Sequence, residues 1–466
     1  MPTRTSSGPG NTPGFNERLT TALTGAPDTP LVFLGNFEVE EQWARGEHTL
    51  PRLTARTAGA VVNHMDEFAL LLAVGKDHVI LKSRPDSEYL EYLAGLGLDL
   101  PRILVPAVQD PQHTVTQDAL DDPALLSVLR GLASEGNRMA VHGVSGPEED
   151  LAAVSGLPVA GPGHTVCKAV NSKVYSRKVA GELGLRQPRG WSCESLDELA
   201  AAFEAAGDLV DRGGRAVVKE AFGVSGKGIS ELGSERRRKR ILDLIGRQAR
   251  RGGGGRLAFV VEEWVDKKTE LNYQFTISRD GTVHFDGVKE QLTERGVHRG
   301  HRMSPSLAPG LTGELTAAAG LLGERLAADG YFGVVGVDAM VDPDGGLYPV
   351  TEINARNNMS TYQLRLQERL IAPGRHAMAR HYPLRLSTPL SFAETRKLLR
   401  GLLLEHPGGT GVLVNNFATV NAGFPNEGRP VDGRLYAVLI GGSAGELSAL
   451  DTETTARLGA RKDESQ

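Results

Sequence analysis

The segment VVGVDAMVDPDGGLYPVTEINAR at 334–356 constrains the fold more than any other stretch of this chain. Apolar, β-type residues flank DPDGG at 342–346, a cluster of turn formers, so the segment doubles back as a hairpin. Glu352 and Asn354 are two apart on the second strand and therefore share one face. Folding about the turn brings Asp338 opposite Glu352 or within two residues of it, on the same face if the register is even. The alternate positions are apolar, among them Val335, Val337, Ala339 and Ile353. Hard oxygen donors gathered in this way suit Mg²⁺ or Mn²⁺, which bridge nucleotide phosphates. Without a cation, carboxylates this close would repel and one would stay protonated. Arg356, two residues further on, is set to reach a phosphoryl or carboxylate group bidentately. A plain polar sheet face explains the alternation but not the clustering of ligand types.

Two earlier segments carry related chemistry. In VVKEAFGVSGKGI (217–229) an apolar strand delivers Lys219 and a loop containing Gly223, Ser225, Gly226 and Gly228 follows at once. Backbone without side chains approaches phosphates closely, and a strand-end lysine adds a point charge. The loop is neither a Walker A sequence nor GxGxxG, and by itself it reads as readily as a turn. In FVVEEWVDKKTE (259–270), Glu262 and Glu263 close an apolar strand, and Glu270 is placed to accept from ribose hydroxyls. An adenine needs an apolar slot with donors and acceptors at its edge, although taken in isolation this segment reads better as a solvent-facing strand end.

Length and charge exclude several classes. A chain of 466 residues exceeds one compact core, so two to four domains are expected. The net charge of −5 and an aromatic content of 5% argue against a general nucleic-acid binder. The basic run RRRKR at 236–240 lies among Ile241, Leu242, Leu244 and Ile245 at helical spacing and reads as a solvated helix. Two cysteines, Cys167 and Cys193, form no disulfide framework, no apolar run reaches the ~18 residues of a membrane span, and the first 14 residues lack a signal-type apolar core. A cytoplasmic protein without a membrane partner is expected. The 57 glycines exceed the usual ~7% and show no collagen period.

Along the chain, residues 1–24 read as a polar tail and a short helix. Strand-like LVFLGN, AVVN, HVIL, RILVP and MAVHG then alternate with helical stretches such as LLSVLRGLA, the pattern of an open, mostly parallel α/β sheet over 25–165. Gly35-Asn36 falls at a strand end, where such sheets bind ligands, although a structural turn is as good a reading. Asn171 is expected to cap the helix SKVYSRKVAGEL, which Gly184 closes. The tetraglycine at 252–255 reads as a connector, 291–312 as a loop, 390–404 as a helix, and the last 60 or so residues as strands followed by a polar tail.

The segments 217–229, 259–270 and 334–356, in this order, resemble the ATP-grasp superfamily of carboxylate–amine ligases. NSKVYSRKVAGELGLRQPRG (171–190) looks like that family's helix with a phosphate-contacting lysine. The resemblance covers about 165–365 and implies an α/β protein with an α+β core: an N-terminal α/β domain at 25–165, an ATP-grasp domain at 166–388 with a lid near 190–260, and a small α+β extension at 389–466. It implies that Lys173 and Lys219 hold the α- and β-phosphates and that 223–228 covers the triphosphate. Glu262, with backbone at Glu263 and Val265, would read adenine, and Glu270 the ribose. Asp338, Glu352 and Asn354 would bind two Mg²⁺ (Mn²⁺ as the alternative), with Lys219 and Arg356 in catalysis. Asp338 is an aspartate where many members carry glutamate. The overall layout is most similar to peptide ligases of the pheganomycin type, which join an N-blocked or guanidino acid to a peptide amine in secondary metabolism, antibiotic biosynthesis included.

The expected reaction is therefore ATP-dependent amide formation through an acyl phosphate, between a small carboxylic acid and an amino-acid or peptide amine, with a homodimer left open. The loop ERGVHRGHRMSP (294–305) offers Arg299, His301 and Arg302 to an anionic acyl substrate, as does Arg356, although a merely solvated loop is as good a reading of it. Two other readings remain open from sequence: an ATP-grasp carboxylase activating bicarbonate, against which no biotin-carrying segment is visible, and a nucleotide-binding regulator without catalysis. A decayed site should have lost one of Lys219, Asp338, Glu352 or Asn354, and all four are present.

Overall fold

Four short apolar runs, Leu31–Leu34 (β1), His78–Ile80 (β2), Arg102–Leu104 (β3) and Arg138–Val141 (β4), form a parallel sheet in the order β3-β2-β1-β4. The computed structural model describes residues 13–50, 59–223, 228–250, 255–294, 297–303, 305–425 and 428–460. The strand order reverses beside β1, which leaves a crevice at the carboxyl ends of β1 and β4. Gly35-Asn36 lies there and ties the two strands together. Asn36 accepts from the His142 amide at 3.0 Å and donates to the Gly143 carbonyl at 2.7 Å. A Cβ on Gly35 would come within 2.6 Å of Asp66 Cα, so close backbone approach requires glycine there.

AVVN, expected as a strand, is instead the end of a helical segment, Gly59–Asn63, running into the 3₁₀ turns of His64–Leu71. Its β-branched pair signals a strand only weakly, and none of Gly59–Asn63 is buried, so the segment lacks the half-buried face of a strand.

A second, antiparallel sheet holds Gly190–Cys193 (β5), Ala216–Glu220 (β6), Ile229–Glu231 (β7) and Phe259–Glu263 (β8), ordered β5-β8-β6-β7. Helices Leu196–Asp211 and Glu235–Arg250 cover it, burying Leu199, Phe203, Ile241 and Ile245 against Val218, Phe259 and Val261.

The third sheet has eight antiparallel strands: Thr269–Ile277 (β9), Val283–Glu294 (β10), Val297–Arg302 (β11), Gly333–Val341 (β12), Leu347–Asn354 (β13), His376–Leu386 (β14), Gly411–Asn416 (β15) and Val431–Gly441 (β16). Their order is β13-β12-β9-β10-β11-β14-β16-β15. One face packs Leu271, Tyr273, Phe275, Val335 and Val337 with Leu315 and Leu322 of helix Leu311–Ala328. The other face carries the polar residues considered below.

Three further expectations change. The 291–312 "loop" contains the end of β10 and all of β11, because strands with polar residues on both faces hide the apolar alternation. The helix near 390–404 is shorter, Phe392–Leu398. The C-terminal region ends in a helix, Ala444–Ala460, rather than in strands alone. These C-terminal elements also pack on the N-terminal ones: Glu67 accepts from the Ala418 amide at 2.8 Å, and Asp86 from the Phe392 amide at 3.0 Å. Among the described residues no helix is long and apolar enough to cross a membrane.

Candidate ATP and metal site

The hairpin register is even, and Asp338 pairs with Glu352. The same row continues across the sheet, since Asp338 pairs with Asn272 on β9 and Asn272 with Lys289 on β10. Four chemistry-bearing side chains therefore share one face over four adjacent strands. Asn272 donates to Asp338 at 2.9 Å, Gln291 at 2.6 Å, and Asn354 at 3.4 Å. Burial, and then the charge of Glu352, push the Asp338 carboxyl up to about 6. The donor set is two carboxylates and an amide, hard oxygens that fit a divalent cation sharing its remaining positions with phosphate. Among the described residues no group of three or more His, Cys, Asp or Glu is placed to hold a metal by itself.

Lys173 enters from the start of helix Lys173–Glu182. Ser172, not Asn171, caps that helix, accepting from the Val174 amide at 3.2 Å. Asn171 instead donates to the carbonyls of Cys167 (2.7 Å) and Ala355 (3.1 Å), and Ser176 accepts from the Ile353 amide at 3.0 Å, so the helix is held onto β13. Lys173 Nζ then lies 2.6 Å from Glu352 Oε1 and 3.0 Å from the Gly223 carbonyl. Burial disfavours its charge, but Glu352 and Glu40 outweigh this and raise its pKa.

On the covering sheet, Glu262 is held between Lys219 at 2.5 Å and Arg177 at 3.2 Å. A narrow cleft lined by Lys173, Arg177, Pro188, Lys219, Glu262 and Val350 separates this sheet from β13, with room for about one water (≈10 Å³). Ser225 and Gly226 lie outside the described residues. Gly223 and Gly228 flank them, and Gly228 has φ +82° with Glu220 packed where a Cβ would stand. The Glu263 amide donates to the Arg189 carbonyl at 2.8 Å, so a base reading Glu263 would have to use another atom. Val265 follows β8 rather than ending it. Glu270 lies on the same face as Asn272 and Asp338, ion-paired to Lys267 and accepting from Thr293 at 2.6 Å.

Arg356 forms two hydrogen bonds to Glu40, one of them at 3.0 Å, and donates to Asn354 at 3.0 Å. Burial opposes its charge, and Glu40 more than compensates. Of the three β11 residues, His301 is buried opposite Gln291 and shares the face of Asp338. Arg299 is the extra residue of a bulge. Arg302 pairs with Glu290 on the opposite face and is not brought together with the others.

The chain's fold is that of known nucleotide-using enzymes. An ADP complex of an N5-carboxyaminoimidazole ribonucleotide synthetase superposes with a TM-score of 0.53 at 12% identity, covering 94% of this chain and 98% of that one. A biotin carboxylase–βγ-ATP complex from Campylobacter jejuni gives a TM-score of 0.52 at 13% identity, over 90% and 89%. Residues 65–157 match the family model of the Pre ATP-grasp domain. This match and the shared fold make the chain similar to ATP-grasp enzymes. In sequence, the chain is 27% identical over 336 residues to a Niallia circulans protein named [butirosin acyl-carrier protein]–L-glutamate ligase, covering 70% of this chain and 72% of the relative.

Several residues of the candidate site carry no clear signal in the sequence. Asn272 and Gln291 were findable, since polar side chains inside β-type runs mark a lined face. Glu40, 316 positions from Arg356, carries no local signal. Lys289 is fully buried with only neutral acceptors, the Ser360 carbonyl at 3.0 Å and Gln363 at 2.9 Å, and burial lowers its pKa to about 7.

Proposed function

We propose that this ATP-grasp ligase uses ATP to join a small carboxylic acid to the amine of an amino acid or peptide, through an acyl phosphate. The observation that carries the reading is the convergence of Lys173, Asp338, Glu352 and Asn354 on one sheet face, beneath a second sheet bearing Lys219. The ligase relative supports carbon–nitrogen bond formation over bicarbonate activation. A carboxylate is a poor electrophile. Transfer of the γ-phosphoryl group to one of its oxygens, with ADP leaving, makes the acyl carbon attackable. The amine then adds to that carbon, phosphate departs, and the amine's extra proton passes to solvent or to a nearby base.

In this reading Lys173 and Lys219 neutralise phosphate charge, and Arg356, oriented by Glu40, faces the transferring group. Asp338, Glu352 and Asn354 would hold Mg²⁺, which supplies charge neutralisation across the β- and γ-phosphates when bound. Glu262 and the backbone beyond β8 would face the base, and Glu270 the ribose. The one-water cleft implies that the covering sheet lifts to admit nucleotide and closes to exclude water from the acyl phosphate. His301 and Arg299, beyond Gln291 on the same sheet, would meet the acid. The finer substrate reading is an N-blocked or guanidino amino acid joined to a peptide amine. The two cysteines are buried and unpaired, which suits the reducing cytoplasm.

The test is release of ADP and phosphate with ATP, Mg²⁺ and paired panels of blocked amino acids and short peptides, with products identified by mass. Release that depends on both partners, with amide formed, supports the proposal. Bicarbonate-dependent release without amide would replace it with carboxylation.

A further inference from the structure

Helix Glu235–Arg250 lies on the covering sheet, between Gly228 and Glu262 in sequence, and none of its residues is assigned above. Its inward stripe, Ile241, Ile245 and Gly246, is buried, as is Arg238. Arg238 donates to the Gly233 carbonyl at 2.7 Å and sits 3.8 Å from Asp211, so it serves the fold. The outward surface is different in kind. Arg236, Arg237, Lys239, Arg240, Arg247 and Arg250 are exposed, against only Glu235 and Asp243 of opposite sign. Glu235 is already engaged by Lys239 at 2.6 Å.

Among the described residues, Arg236, Arg240 and Arg247 have no ion-pair partner, and they recur at helical spacing on one side. With Asp243 they line an open depression of about 410 Å³. Arg247 in the last turn suits the helix dipole, but Arg236 and Arg240, like charges four apart on one face, repel each other. In a chain whose net charge is −5, such a concentration is a local reversal of sign.

We propose that this helix docks a small acidic carrier protein that presents one of the two substrates on a tethered thiol arm. The inference rests on the ligase reading and deepens it. Charge complementarity selects an acidic partner. The relative whose name includes an acyl-carrier protein gives that partner its class. The helix lies on the sheet that carries Lys219, so a docked carrier would sit on the element that closes over the nucleotide. Arginine forks suit the carboxylates and phosphodiester of such a protein, and rim charges of this type mainly raise the association rate and impose salt sensitivity.

The experiment uses the full chain and, as probe, a fluorescently labelled holo acyl-carrier protein of bacterial fatty-acid synthesis, with single-stranded RNA as the competing polyanion. We expect salt-sensitive binding of the carrier, weakened about tenfold or more in the triple variant Arg236→Glu, Arg240→Glu, Arg247→Glu. A matching Arg→Gln triple should lie between the two, with melting temperatures unchanged. ADP release with free acid and amine pairs should be the same in all three proteins. Equal carrier affinity in wild type and variants, no carrier binding at low salt, or tighter binding of RNA than of carrier would overturn the proposal. Carrier binding that follows the charge series supports the docking site even if no free pair releases ADP, a result that would count against the ligase reading alone.

Discussion

Asp338 and Glu352 face each other as register partners across β12 and β13, two carboxylates in one row of an antiparallel sheet. Their mutual repulsion, added to burial, is what a divalent cation would relieve. The pair therefore couples pH, metal and stability in ways that can be measured.

Asp338 titrates at about 6 in the fold, above its ordinary 3.8. A carboxyl with a raised pKa contributes stability while protonated: in full below about pH 4, and lost as pH climbs through about 6. In EDTA, the melting temperature should accordingly fall across pH 4–6, and Asp338→Asn should flatten that fall. Mg²⁺ with ADP should raise the melting temperature more at pH 7.5 than at pH 5, because ligation needs the ionised carboxylate. A wild-type profile as flat as the variant's would remove the coupling.

Glu352→Ala removes a proposed metal ligand and leaves the buried ammonium of Lys173 without its 2.6 Å partner. Mg²⁺-dependent ADP release should drop by about 10² or more, with secondary structure by circular dichroism retained. Turnover like that of wild type would dismiss the metal assignment.

Lys219→Met should raise the ATP KM by roughly tenfold to a hundredfold, the worth of one charge-assisted contact. It also frees Glu262, which Arg177 still holds, so the melting temperature should change little. Steady-state kinetics with ATP varied at saturating acid and amine check this.

Glu40→Gln tests whether the N-terminal domain takes part in catalysis through Arg356. We expect kcat to fall by about tenfold with the ATP KM nearly unchanged, and Glu40→Asp to recover part of the loss. Equal effects of Gln and Asp on stability alone would make the pair merely architectural.

The hairpin, the lysine helix and the strand carrying Lys219 were legible because each chemical motif coincides with a strong local signal. DPDGG fixes a turn, and period-2 spacing fixes which side chains share a face. Legibility stopped where tertiary contact decides. AVVN is helical with none of its residues buried, so no packed face holds it as a strand. The strand at 297–302 was hidden because polar residues occupy both of its faces, His301 on one and Arg302 on the other. Glu40 and Arg356 meet only because a loop after β13 packs against the carboxyl end of β4, where the Asn357 amide donates to the His142 carbonyl at 2.9 Å. No spacing rule reaches across that distance.

The eight-stranded sheet has a consequence for how such a protein can diversify. β14 is hydrogen-bonded to β11 on one side and to β16 along its whole length on the other. The backbone ladder therefore runs without a seam from the β12–β13 hairpin to Gly411–Asn416. Residues 389–466 are thus not an exchangeable cassette. Cutting there would strip an eleven-residue strand of its partner and uncover a core shared with the N-terminal sheet. New substrates must be accommodated by changes on the polar face and its loops, while the ladder beneath is inherited whole.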